Sequence, residues 1–108
     1  MTHIVIYTRR AERELLAASQ WWAENRSTEQ AARWLDGIAD KIDSLSTSPQ
    51  RCLLIAERRT FDIVLRELYF GLGRRPTHRI IFTIGDGYVL VLTVRHLAQD
   101  RLRPEDIT

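Results

Sequence analysis

The sequence predicts an α+β fold in which an N-terminal strand and a helical hairpin pack on a mainly antiparallel β-sheet. Three observations support this fold class. The first half contains two stretches whose apolar residues recur every three or four positions, which is the period of an amphipathic helix. The second half contains segments rich in β-branched and aromatic residues, separated by turns that contain glycine. A short β-branched segment precedes both helical stretches.

The first half is predicted to contain one strand and two helices. The strand covers 3–7, and Thr8 then caps a helix. The apolar stripe of this helix consists of Ala11, Leu15, Ala18 and Trp22. Residues 25–27 interrupt the pattern, and Ser27 with Gln30 has the spacing of a capping box that begins a second helix. The second stripe consists of Ala31, Leu35, Ile38, Ile42 and Leu45, and 46–49 end it. Because the connection is so short, the two helices must lie antiparallel.

The second half is predicted to contain four strands, over 53–56, 62–70, 77–84 and 88–94. The last two flank Gly85-Asp86-Gly87, a glycine-rich turn of hairpin type. No repeat or linker divides the chain, so 1–108 is expected to form a single domain.

The composition is typical of a soluble domain, with 44% hydrophobic and 28% charged residues. No stretch approaches the roughly 20 apolar residues of a membrane-spanning helix, and the N-terminus shows no signal-peptide pattern. Cys52 is the only cysteine, which excludes an internal disulfide and favours a reducing compartment. We therefore expect a cytoplasmic protein. The histidines and Cys52 lack the spacing of metal ligands, so neither a metal nor another cofactor is expected.

Arginine supplies nearly all of the basic charge, because Lys41 is the only lysine. Acidic residues balance it in the first half but are fewer in the second. The second half carries Arg58, Arg59, Arg66, Arg74, Arg75, Arg79, Arg95, Arg101 and Arg103. Guanidinium groups bind phosphate or carboxylate through paired hydrogen bonds, so a basic surface there is compatible with nucleic acid or an acidic protein. Solvated surface arginine is the equally weighted alternative.

Three motifs in the second half are more specific. Residues 65–71 read Leu-Arg-Glu-Leu-Tyr-Phe-Gly, 78–84 read His-Arg-Ile-Ile-Phe-Thr-Ile, and 89–96 read Val-Leu-Val-Leu-Thr-Val-Arg-His. The first helix opens with Ala-Glu-x-x-Leu at 11–15. In this order and spacing, the chain resembles along its whole length the RelE/ParE superfamily of bacterial type II toxin–antitoxin toxins, which includes plasmid stabilisation proteins.

The resemblance implies a growth inhibitor and leaves its target open. RelE-like members are ribosome-dependent mRNA endonucleases, whereas ParE-like members inhibit DNA gyrase by binding. RelE-like enzymes use lysines and a C-terminal tyrosine, and this chain has no lysine after Lys41 and no tyrosine after Tyr88. Its long helical hairpin is also similar to the ParE form. Gyrase inhibition is therefore favoured, with mRNA cleavage as the alternative and a degenerate toxin that only binds a partner as a third possibility.

The resemblance also implies the site residues. The family's basic and terminal-strand positions correspond to Arg66, Arg79, Arg95 and His96, the catalytic candidates. Neighbouring strands are expected to place the arginines on one sheet face, with His96 as a near-neutral acid or base beside them and His78 as the second choice. The alternatives are local ion pairs of Arg66 and Arg79 with Glu67, Asp62 or Asp86, and a capping or packing role for His96.

Expected partners are a small acidic antitoxin that wraps the toxin, with oligomers forming through that complex, and either DNA gyrase or the translating ribosome with its mRNA. No membrane partner is expected. The partner-binding candidates are Trp21, Trp34, Arg74 and Arg75. Trp21 is turned about 100° from the first apolar stripe, and Trp34 lies at the edge of the second. These two side chains either form an exposed interface patch or pack in the seam between the helices.

Overall fold

The computed structural model describes residues 2–108 and shows two helices packed on a five-stranded sheet. The helices are α1 (Arg9–Asn25) and α2 (Thr28–Asp43). The strands are β1 (Ile4–Tyr7), β2 (Leu53–Leu54), β3 (Arg66–Phe70), β4 (His78–Ile84) and β5 (Tyr88–His96). The predicted α+β class and the helical hairpin on the sheet are confirmed. In the described part of the chain, neither helix has the length and apolar character needed to span a bilayer.

Both helices begin at the predicted caps. The Thr8 hydroxyl accepts a hydrogen bond from the Ala11 backbone N–H at 3.1 Å, and the Ser27 hydroxyl accepts one from Gln30 at the same distance. Each bond satisfies a backbone donor that has no partner within its helix. The caps therefore fix where the chain turns from β1 into α1 and from α1 into α2.

The sheet has the order β1-β5-β4-β3-β2 and is antiparallel except where β1 runs parallel to β5. β1 covers only the first part of the β5 edge, pairing with residues 88–91. Further along, the Glu14 carboxylate of α1 accepts hydrogen bonds from the Val94 N–H at 3.1 Å and the Thr93 hydroxyl at 2.8 Å. A side chain of α1 therefore accepts hydrogen bonds from the edge of β5 beyond the point where β1 ends.

Apolar side chains fill both sides of the sheet. The larger core lies between the helices and the sheet and contains Ala11, Leu15, Trp34, Ile38, Ile42, Leu45, Ile80, Phe82, Val89, Val91 and Val94 among its buried members. The smaller core lies on the opposite face and is built from Ile55, Leu65, Ile81, Leu92 and Leu102. We call these the helix face and the second face. The segment between β2 and β3 and the C-terminal segment 97–108 cover part of the second face.

Two predicted strands are shorter than expected. The predictions were 53–56 and 62–70, whereas the observed strands are Leu53–Leu54 and Arg66–Phe70. β2 is an edge strand, and only its two residues pair with β3, Leu53 with Glu67 and Leu54 with Arg66. The ladder between these two strands is therefore short. Residues 56–64 leave the sheet, and this departure brings an acidic residue over the second face.

Candidate functional site

Arg79 and Arg95 lie directly opposite each other on β4 and β5, on the second face. Arg79 donates to Glu57 in a two-pronged pair, with Nη1 at 2.9 Å from Oε2 and Nη2 at 3.1 Å from Oε1. Its Nε lies 3.2 Å from Glu67 Oε1, which is an ion pair without the alignment of a hydrogen bond. Two carboxylates of the same chain therefore neutralise this guanidinium.

Glu57 holds the centre of this arrangement. Its Oε2 also accepts the backbone N–H of Leu102 at 2.9 Å, and its side chain is 6% exposed. The hydrogen bonds from Arg79 lower the pKa of Glu57 from 4.5 to about 2 against the opposing effect of burial, and the same contact raises the pKa of Arg79. Both groups are thus charged at neutral pH, in a pair that joins β4, the 56–64 segment and the C-terminal segment.

Arg95 is held by the C-terminal segment. Its Nη1 lies 3.4 Å from the Asp106 carboxylate, and its Nη2 donates to the Asp100 backbone oxygen at 2.9 Å. The residue is buried. Neither Arg79 nor Arg95 presents a free guanidinium to solvent in this structure. The local ion pair between Arg79 and Glu67, which the sequence offered as an alternative to an anion site, is observed, although Glu57 lies closer to Arg79.

The structure corrects the expected placement of Arg66. Side chains alternate between faces along a strand, and Leu68 and Phe70, two and four residues further along β3, pack on the helix face. Arg66 shares their face, so it lies on the opposite side of the sheet from Arg79 and Arg95. Its Nη1 donates to the backbone oxygen of Cys52 at 2.7 Å and to that of Gln50 at 3.3 Å. These contacts tie β3 to the chain that leads into β2.

The expected position of His96 beside the arginines is also corrected, for the same reason. His96 follows Arg95 on β5 and therefore projects from the helix face, where its ring meets that of His78 with 5.1 Å between centroids. His96 is exposed, and its Nδ1 accepts the Ala98 N–H at 2.9 Å. We assign the neutral ring as the tautomer with the proton on Nε2, because Nδ1 is an acceptor.

His78 is buried on the same face. Burial, followed by the nearby His96, lowers the pKa of His78 from 6.5 to about 4, so its ring is neutral at physiological pH. Its Nδ1 lies 2.8 Å from the Thr77 hydroxyl, and its ring meets that of Trp34 edge-on with 5.0 Å between centroids. His78 is thus a packed neutral ring rather than a cation.

The predicted tryptophan patch is divided between core and surface. Trp34 is 0% exposed, so the expectation that it forms part of an exposed interface is corrected: it packs against Phe70 and His78 beneath α2. Trp21 is 50% exposed and stands edge-on to Trp22, with 5.5 Å between ring centroids. The two tryptophans of α1 form one wall of a cavity of about 400 Å³, whose other lining residues are Ala18, Thr77, His78 and His96.

The remaining partner-binding candidates, Arg74 and Arg75, are exposed in the loop between β3 and β4. The structure therefore separates two groups of residues. Arg79 and Arg95 lie in an internal charge network on the second face, whereas Trp21, His96 and the arginine loop face solvent. Within residues 2–108, no group of three or more histidine, cysteine, aspartate and glutamate side chains is arranged to hold a metal ion.

Sequence reasoning missed Glu57 and the cavity. Glu57 lies in an irregular segment, where no periodicity predicts which side chains point inward. One signal was present: Arg79 is two residues from the core residue Ile81 on the same strand, so it had to face inward and needed a carboxylate partner. The cavity brings α1 together with the ends of β4 and β5, which depends on the packing of the hairpin on the sheet.

Comparison with known proteins gives a matching family and several similar structures. The family described as the ParE toxin of the type II toxin–antitoxin system, parDE, matches residues 5–101. A chain of the chromosomal ParDE toxin–antitoxin system from P. aeruginosa is 16% identical with a TM-score of 0.71, covering 88% of this chain and 96% of that one. A chain of the RelBE2 toxin–antitoxin complex from Mycobacterium tuberculosis is 22% identical with a TM-score of 0.59, covering 89% and 99%. No curated protein gave a significant sequence match.

Proposed function

The chain belongs to the ParE family of toxins of type II toxin–antitoxin systems, and from this premise we propose that it inhibits DNA gyrase by binding, without cleaving RNA. The match spans 5–101, which includes both helices and all three sequence motifs. The toxin role follows from membership of the family. The choice of gyrase over the ribosome rests on the arrangement of the arginines.

The main observation in favour of gyrase is that the Arg79 guanidinium is already paired with two carboxylates of its own chain. An endonuclease that drives the RNA 2′-OH against the adjacent phosphate needs cations directed at the charge that develops in the transition state. Arg79 is directed instead at Glu57 and Glu67, and Arg95 at Asp106. Releasing Arg79 for a phosphate would leave two carboxylates without their cation, at least one of them buried. The geometry supports a structural role for this pair of arginines.

The histidines support the same choice. General acid–base catalysis requires a titrating group within hydrogen-bond reach of the reacting atoms, beside the cations that stabilise them. His96 projects from the face opposite Arg79 and Arg95, and His78 is buried and neutral. An acid or base would therefore act from the opposite side of the sheet to Arg79 and Arg95, and Arg66, which shares the histidine face, donates to backbone oxygens instead. A protein that binds its target needs no such assembly.

We further propose that a small acidic antitoxin neutralises the toxin and that any oligomer forms through this complex. The two similar structures described above come from toxin–antitoxin systems, and the second is a toxin–antitoxin complex. The basic character of this chain, with a sequence pI of about 9.1, complements an acidic partner. Arg74 and Arg75 lie exposed where such a partner can reach them.

The proposal is tested by assaying the toxin, freed from its antitoxin, on both candidate targets. DNA supercoiling by purified gyrase should be inhibited, and addition of equimolar antitoxin should restore it. In a purified translation system, mRNA on the ribosome should remain intact at the same toxin concentration. Cleavage of that mRNA with unaffected supercoiling would establish the RelE-like alternative. Inactivity in both assays, together with antitoxin binding, would identify a degenerate toxin that acts only as a binding module.

A further inference from the structure

The cavity beside Trp21 lies where the C-terminal half of α1 approaches the ends of β4 and β5. Its volume of about 400 Å³ is near the lower end of the range of roughly 300–1,000 Å³ found for ligand pockets. Its lining includes the aromatic residues Trp21 and Trp22 and the histidines His78 and His96. Space of this size and shape fits one bulky apolar side chain.

The rim of the cavity extends this apolar surface. Trp21 leaves half of its surface in solvent, although indoles contribute heavily to binding when they become buried. A half-exposed indole at the mouth of a cavity marks a protein interface more often than an isolated apolar side chain does.

Charge on the rim indicates the chemistry of the partner. Thr77, which lines the cavity, closes the loop that carries the exposed residues Arg74 and Arg75. Exposed Arg26 caps the C-terminus of α1, four residues or about one turn beyond Trp22. Three guanidinium groups, against the carboxylates of Glu24 on α1 and Glu29 in the first turn of α2, leave this end of the molecule with a net positive charge. The complementary partner is acidic.

Polar groups at the mouth also favour a peptide. The Nδ1 atom of His96 is occupied by the Ala98 N–H, so its Nε2–H is left as a donor for a carbonyl or carboxylate oxygen. An apolar pocket with a donor and a basic rim combines the two features of an interface anchor, an apolar centre and a polar border.

We propose that this cavity is the anchor point of the antitoxin: an acidic segment inserts one bulky apolar side chain between Trp21 and His96, and its carboxylates pair with Arg74 and Arg75. The inference rests on the antitoxin named under the proposed function and specifies where that protein is held. In this arrangement the Trp21 indole provides most of the affinity, and Arg74 and Arg75 mainly increase the association rate. The two contributions can therefore be measured separately.

The probe is the small protein encoded beside this toxin, purified as a complex with it and then separated. Binding to the toxin is measured by titration calorimetry and by stopped-flow association. The test variants are Trp21→Ala and the double replacement Arg74→Ala with Arg75→Ala. The matched controls are Leu16→Ala, a 63% exposed apolar residue elsewhere on α1, and Arg58→Ala with Arg59→Ala, an exposed arginine pair in another loop.

Trp21→Ala should weaken binding by at least roughly thirtyfold, as for a central aromatic contact, with most of the loss in the dissociation rate. The arginine double variant should slow association by about tenfold at low salt, and this loss should shrink at high salt because the rim charges are screened. Both controls should remain within about twofold of the original protein, which is typical of surface replacements outside an interface. Circular dichroism should show the same fold for every variant.

Binding of the unaltered toxin with a Trp21→Ala effect of twofold or less would overturn the anchor and leave the proposed function standing. Equal losses for Leu16→Ala and Trp21→Ala would also overturn it, because the contact would then be another face of α1. Absence of binding to the unaltered toxin would overturn the antitoxin proposal and the anchor together. Acrylamide quenching adds an independent readout: the emission lost in Trp21→Phe should be quenchable in the free toxin and protected in the complex.

Discussion

Replacing Arg79 with alanine is expected to lower the free energy of unfolding by about 3–5 kcal/mol, the usual cost of removing one partner of a buried ion pair. Glu57 would keep the Leu102 N–H but lose both bonds from the guanidinium, and Glu67 would lose its cation. The lowered pKa of Glu57 leads to a similar free energy, since a shift from 4.5 to about 2 corresponds to about 3 kcal/mol. A domain of this length has about 5–15 kcal/mol of stability in total.

The size of this effect changes how toxicity data on Arg79 are interpreted. Loss of toxicity in Arg79→Ala could result from unfolding rather than from a lost target contact. The informative variant combines Arg79→Met with Glu57→Gln, since the amide oxygen still accepts the Leu102 N–H and Glu67 is then the only member of this network that is left with an unpaired charge. We expect this double variant to recover part of the lost stability, with a coupling energy of about 2–3 kcal/mol between the two sites, and to remain less stable than the original protein because Glu67 keeps no cation.

Urea unfolding at neutral pH, followed by circular dichroism, measures Arg79→Ala and the four proteins of this cycle, which are the original protein, Arg79→Met, Glu57→Gln and the double variant. An Arg79→Ala variant within about 1 kcal/mol of the original protein, or absence of coupling, would refute the structural role assigned to the pair. Acid titration provides a further check. Because the pKa of Glu57 is lowered on folding, its stabilisation is complete above pH 4.5 and is lost as the pH falls towards 2, and Glu57→Gln should lack this loss. A stable but harmless double variant would make Arg79 a target contact after all.

Three further predictions concern other parts of the molecule. Burial lowers the pKa of His78 from 6.5 to about 4, so as the pH falls the unfolded chain takes up a proton at this residue before the folded protein does. The free energy of unfolding should therefore drop by about 3 kcal/mol between pH 6.5 and 4. Urea unfolding at a series of pH values should show a smaller drop for His78→Phe. Gly71→Ala should lower the melting temperature, because its Cβ would lie against the Arg75 backbone oxygen, whereas Gly73→Ala, with open space around it, should not; equal effects would contradict this. Thr8→Ala should cost about 1 kcal/mol of unfolding free energy through the lost cap of α1, and an unchanged value would show that the cap is dispensable.

The local elements were predictable because local interactions determine them. The apolar stripes have the helical period, and the Thr8 and Ser27 hydroxyls cap the helices where the sequence predicts. The glycine-rich turn between β4 and β5 was likewise predictable, and Gly87 has the positive φ of 79° that glycine tolerates. The three motifs identified the superfamily, since they preserve the order and spacing of the strands that bear them.

The site depended on contacts between distant parts of the chain. Strand alternation implies that Arg66 and Glu67 face opposite ways, but only the register of β3 on β4 decides which of them joins Arg79. Trp34 lies at the edge of its stripe, and the sheet residues His78 and Phe70 enclose it. The sequence by itself determined the helices, the strands and the family. The tertiary structure alone decided that the conspicuous arginines are paired internally, because a partner 22 residues away in an irregular segment leaves no periodic signal.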